Sequence, residues 1–128
     1  MSAGKAAGFF TQYQIYVESC YTHNSYLVEI NDLDENTWIT ENSLKDVFCT
    51  DPYDCTSWIG GNDKEKEGVF VWEHSKTAIG FTNWGGMNPD NYVVPHKALD
   101  CIDMAYNGKW NDRPCNFLNV FLCERDIL

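Results

Sequence analysis

Six cysteines, at positions 20, 49, 55, 101, 115 and 123, constrain the fold of this 128-residue chain more than any other feature. A chain of this length holds one core and is too short for two ordinary domains. Cysteine used at this density points to disulfides and so to an oxidising, extracellular compartment. The other structural use of cysteine, zinc ligation, asks for closely spaced Cys or Cys/His pairs. No CxxC pairs or Cys/His clusters appear at the spacing of a zinc site. Many complete pairings are open to six cysteines, and spacing alone does not choose among them.

Composition narrows the function. The formal charge is −10, and nucleic-acid affinity comes mainly from clustered Lys and Arg, so nucleic acid is not an expected partner. With 44% of residues apolar and 15% aromatic, the chain has ample material for a core. No apolar run approaches the roughly 20 residues that span a bilayer, and membrane insertion is not expected. Residues 1–8 lack the hydrophobic centre of a signal segment and are expected to be flexible, with the domain over 9–128. No Asn-x-Ser/Thr acceptor is present. Catalysis would need paired carboxylates in a cleft or a nucleophile beside a base. Nothing in the chain suggests either, and His23, His74 and His96 are scattered in sequence.

Residues 9–20 form a mixed apolar run that reads weakly as a helix, because its aromatic and β-branched members are poor helix formers. Asp32 followed by Glu35 predicts a helix start, with the helix running past Trp38, Ile39 and Leu44 towards Phe48. Pro52 places a loop beyond it. Short runs at 57–60, 69–72, 101–105 and 119–123 alternate with Gly, Pro and Asn turns and read as strands. The class expected is α+β. Residues 82–97, with two Gly, two Pro and three Asn, read as a long irregular loop, and such loops are usually functional or disordered.

Between Cys101 and Cys115 lies Asn107-Gly108-Lys109-Trp110-Asn111-Asp112, an amide and a carboxylate side by side after a turn and an indole. Oxygen donors of this kind suit calcium and sugar hydroxyls. Read in order, Trp58-Ile59-Gly60, Asp63, Glu67-Gly68, Phe70, Trp72, Thr82-Asn83-Trp84, Asn88-Pro89-Asp90, Asp100-Cys101, Trp110-Asn111-Asp112, Cys115 and Phe121-Leu122-Cys123-Glu124 resemble the C-type lectin-like domain in both order and spacing. The first half is similar more loosely, through Cys20 and Tyr26-Leu27-Val28-Glu29-Ile30, and the resemblance runs from about residue 9 to the end.

The resemblance implies two helices, small antiparallel sheets and a long irregular loop region, stabilised by disulfides. It implies Cys20–Cys123 and Cys101–Cys115 bridges, leaving Cys49 and Cys55 for a local one. Trp58, Trp72, Trp84 and Trp110 fall at framework positions and are expected in the core. The implied function is carbohydrate binding through calcium, without enzymatic activity. By position, Asn88, Asp90, Asn111 and Asp112 would hold one calcium and grip the sugar. Leu99 stands where the family's sugar binders carry a further acid, which removes one oxygen ligand and weakens the expected calcium dependence. Asp63, Glu67, Asn91 and Asp100 correspond to a second calcium position. The Asn-Pro-Asp order is similar to the galactose-type motif, and Tyr92 falls where an aromatic ring packs on the sugar in galactose and GalNAc binders. Pro89 is expected in the cis form.

Other readings stay open at this stage. Asn88, Asp90, Asn111 and Asp112 also suit turns that bond their own backbone, Tyr92 suits an exposed loop, and Asp63 to Glu67 suits a solvated charged turn. An acetamido-directed variant without calcium, such as a GlcNAc binder, and a domain that binds a protein or a surface both fit Leu99. Single sugar contacts are usually weak, so avidity would come from assembly. With six cysteines used internally, a homo-oligomer would be noncovalent.

Overall fold

The computed structural model describes residues 12–44, 55–86 and 100–126. Helix α1 spans Gln12–Thr22 and buries Tyr13, Val17 and Cys20, one stripe along its length. Packing, not propensity, holds it, and the Tyr13 hydroxyl donates to the Ile59 carbonyl at 2.9 Å. It ends at Thr22, two residues beyond the predicted Cys20, and Asn24, at a φ of 56°, permits the turn-back in which the Ser25 N–H donates to the Cys20 carbonyl. Residues 9–11 of the predicted helix lie outside the described residues, as do residues 1–8.

Helix α2 (Leu33–Ile39) opens where the sequence predicts. Asp32 accepts the Glu35 N–H at 2.8 Å, but Glu35 reaches past Asp32 to the Asn31 N–H, so the reciprocal bond is displaced by one residue. The predicted run through Leu44 changes character after Ile39, becoming a π-helical turn over Thr40–Leu44. Residues 45–48 lie outside the described set.

The strands are β1 (Tyr26–Leu27), β2 (Thr56–Asn62), β3 (Val71–Trp72), β4 (Asp100–Ala105), β5 (Trp110–Pro114), β6 (Val120–Phe121) and β7 (Cys123–Glu124). The main sheet runs β3-β2-β4-β5, with β6 parallel to the start of β2. A small second sheet pairs β1 with β7. The predicted 119–123 strand therefore splits between two sheets, and the 69–72 strand shortens to two residues. Residues 110–114 are a strand that periodicity did not suggest.

Alternation across the sheet divides the core. Trp58 on β2 and Cys101 on β4 face a cluster with Tyr13, Val17, Cys20, Leu27 and Cys115. Their neighbours Ile59 and Ile102 face the other, with Val28, Ile30, Ile39, Trp72, Met104 and Trp110. Trp84, placed in the core by sequence, is half-buried against this second cluster. Gly60 lets β2 touch the segment after β1. Its N–H donates to the Val28 carbonyl at 2.8 Å, and a Cβ there would meet the Leu27 and Val28 oxygens at 2.9 Å. Cys20–Cys123 and Cys101–Cys115 are bonded as the resemblance implies. Cys55 is also in a disulfide, while Cys49 lies outside the described residues.

Candidate functional site

The β2–β4 pairing slips between Trp58 and Asn62, and just past that irregularity two acids meet. Asp63 follows β2 and Asp100 opens β4. Their backbones are joined by an Asp63 N–H to Asp100 carbonyl bond at 3.1 Å. The Asp63 side chain accepts the Asp100 N–H at 3.2 Å and the Gly68 N–H at 2.9 Å. The second bond closes the 63–68 turn, which Gly68 completes at a φ of 85°.

The turn also brings Glu67 back. Ligand oxygens of Asp63, Glu67 and Asp100 lie within 4.8 Å of one another. Asp63 and Asp100 are buried and Glu67 is exposed, so the solvated-turn reading fits Glu67 but not Asp63. Local desolvation, then the charge and hydrogen bond of Asp63, then the charge of Asp112, raise the Glu67 carboxyl above its usual range. A cation here would relieve that crowding, and carboxylates on a fixed turn are the donor set a hard cation takes. A cavity of about 440 Å³ opens beside the acids, lined in part by Phe70, Thr82 and Trp84.

Asn111 and Asp112 lie within β5, the edge strand of the main sheet. The turn precedes them, at Asn107 and Gly108, where the Lys109 N–H bonds to Asn107 Oδ1 at 3.0 Å. Turn formation therefore does not account for Asn111 or Asp112. Asp112 is buried opposite Ile102, and its charge acts on Glu67. Asn111 is half-buried opposite Asp103. Asn88, Asp90, Asn91, Tyr92, His96 and Leu99 lie outside the described residues. The near end of their loop is stitched to β5: Gly85 N–H donates to the Trp110 carbonyl and Trp110 N–H to the Asn83 carbonyl, each at 2.9 Å.

Sequence reasoning missed Asp103. It is fully buried, and its Oδ2 lies 2.7 Å from Arg113 Nε while accepting from Thr56 Oγ1 at 2.8 Å and Asn119 Nδ2 at 3.3 Å. The signal available was one acid inside the apolar run 101–105. Burial pushes its carboxyl up to about 6, against the lowering pull of Arg113, Thr56 and Asn111. Below about pH 4 this carboxyl is protonated in both the folded and unfolded chain. Above 6 it is ionised in both, and the folded state bears a penalty of about 3 kcal/mol. Its contribution to stability therefore improves as pH falls from 7 towards 4.5. Glu67 and Glu124, also raised, act in the same direction, and Glu73, lowered by Lys64 and Lys76 despite the opposing effect of burial, acts against it. Melting of wild type and Asp103→Asn across this range isolates the term. The gain on acidification should be larger in wild type, and equal slopes would refute the assignment.

Comparison with known proteins gives one family. The family model described as Lectin C-type domain matches residues 11–125. A perlucin-like protein of Mytilus galloprovincialis is 33% identical over 99 residues, 77% of this chain and 60% of that protein. The chain thus spans about three-fifths of that curated relative. Among solved structures, the human scavenger receptor C-type lectin carbohydrate-recognition domain is 30% identical, with a TM-score of 0.75 over 89% of this chain and 82% of that one. The cow C-type carbohydrate-recognition domain of CD23, solved in the presence of a GlcNAc2Man3 oligosaccharide, is 25% identical, with a TM-score of 0.73 over 91% of this chain and 81% of that one.

Proposed function

Because the chain belongs to the C-type lectin domain family, whose members are binding domains and not enzymes, we propose that residues 9–128 form an extracellular carbohydrate-binding domain that works with calcium. The observation that carries this reading is the convergence of Asp63, Glu67 and Asp100 within 4.8 Å, close enough to Asp112 for its charge to be felt at Glu67. In this reading Asp63, Glu67 and Asp100 hold one calcium. Asn88, Asp90, Asn111 and Asp112 hold a second and meet the sugar, with Tyr92 against its apolar face. When bound, calcium neutralises the acids and draws the sugar's hydroxyl oxygens to it. The ligand class is a galactose, GalNAc or other N-acetylated sugar, and the oligosaccharide present with the cow CD23 domain supports a glycan ligand.

Calcium affinity follows the number of charged ligands, and Leu99 removes one, so dependence on the ion is weaker than with a full set. Leu99 also favours the second reading, a domain of this family that binds a protein or a surface.

Calorimetric titration of calcium into chelator-treated protein, followed by GalNAc and GlcNAc into both forms, separates these readings. We expect heat with calcium, and sugar heat only in the calcium form. At a hundredfold excess of calcium over its Kd, the fold should gain about 2.7 kcal/mol, visible as a rise in Tm. Asp63→Asn should abolish most of that rise. Equal sugar binding without calcium would move recognition to direct protein contacts, and no binding in either form would favour the protein or surface partner.

A further inference from the structure

Asp103 is an acid in a strand whose six residues are all buried. A buried ion pair is weak support for stability, since apolar side chains of similar volume often do as well or better at such positions. The arrangement of its partners points to another role. In the β4–β5 ladder Asp103 stands directly across from Asn111, while Ile102 stands across from Asp112 and Cys101 across from Arg113. Residues directly opposite, and those two apart on one strand, share a face. Asn111 and Arg113 therefore flank Asp112 on the same face as Asp103. Arg113 Nε is 2.7 Å from the carboxylate, and the Asn111 side chain also interacts with it, favouring its charged form.

From the other side the carboxylate is held by Thr56 of β2 and by Asn119 before β6. Asn119 Nδ2 also donates to Thr56 Oγ1 at 2.8 Å. The carboxylate thus ties the edge strand β5 to the middle of the sheet.

We infer that Asp103 is a positioning residue for the Asn111–Asp112 pair, holding Asn111 from across the ladder and Arg113 on the far side of Asp112. An amide can present either its oxygen or its nitrogen, and an ionised carboxylate only accepts. Across the ladder from an ionised Asp103, the Asn111 side chain would present its nitrogen to the carboxylate and leave its oxygen for a cation or a hydroxyl. Arginine at 113 fixes the backbone on the other side. This inference rests on the proposed carbohydrate and calcium function of β5.

The test compares wild type, Asp103→Asn and Asn119→Ala by calcium and GalNAc titration, with thermal melts and the side-chain amide signals of 15N-labelled protein. Outer partners of metal ligands commonly change affinity by about 10- to 100-fold, and Asp103→Asn is expected to weaken calcium binding by at least tenfold at temperatures where it is fully folded. Its Asn111 side-chain amide should also move and exchange faster, while the backbone spectrum is retained. Asn119→Ala, which leaves the carboxylate in place but loosens it, should weaken binding about threefold, and decides the matter if Asp103→Asn does not fold. Unchanged affinity in a folded variant, or an Asn111 amide signal indifferent to Asp103, overturns the inference. If wild type takes neither calcium nor sugar, the functional reading fails on its own. The amide signal then still decides whether Asp103 orients Asn111.

Discussion

Trp110→Ala should remove most of the stability of this domain. The indole is fully buried and meets Trp72, Phe81 and Trp84 edge-to-face at centroid distances of 5.9, 5.8 and 5.9 Å. Truncating a buried tryptophan costs about 3–5 kcal/mol. A second loss adds to this, because the indole N–H donates to Asn36 Oδ1 at 2.8 Å, and a buried acceptor left without its donor costs about 1–3 kcal/mol. A domain of ordinary stability has only about 5–15 kcal/mol in total. Urea denaturation measures the sum. Trp110→Phe separates the terms, since it keeps much of the ring packing and should lose chiefly the smaller, polar part. A loss below about 1 kcal/mol in the alanine variant would show that the three surrounding rings close the gap.

The second large effect is expected from the Cys20–Cys123 bridge. It joins residues 103 apart, and closing a loop of about 100 residues in the unfolded chain is worth about 4.7 kcal/mol in the chain-entropy account. The Cys101–Cys115 bridge, with a separation of 14, is worth about 3 kcal/mol on the same basis. Replacing both partners by serine in each pair and comparing denaturation midpoints tests the order. The 20–123 variant should be the less stable, because it also releases α1 and β7 from each other. The reverse order would mean that bracing of the β4–β5 hairpin outweighs the long loop.

The parts of this architecture that are legible in the sequence are those with a strong local chemistry or a strong family pattern. Asp32 and Glu35 mark the start of α2 because capping is settled within four residues. Trp58, Trp72 and Trp110 are buried where the pattern puts them. Asp63, Glu67 and Asp100 meet, although residues 68–99 separate the second from the third in the chain. What was not legible depends on distant partners. Tyr26 and Leu27 form a strand only because Glu124 and Cys123 lie beside them. The π-helical turn after Ile39 has no marker in its own residues. Asp103 looked like one polar letter in an apolar run, and its meaning comes from Thr56, Arg113 and Asn119, drawn from three other segments.

The sheet order also sets a timetable for folding. The β4–β5 hairpin turns within a few residues, and hairpins of this kind close in about 1–10 μs. Strand β2 must instead wait for β4, some forty residues downstream, and β1 must wait for β7. Pairings that close long loops are the slow ones. On a ribosome, then, β1 emerges early and stays without its strand partner until residues 123–124 have followed. The hairpin that bears Asn111 and Asp112 needs no later segment to close, and can take shape before the β1–β7 pairing that seals the domain.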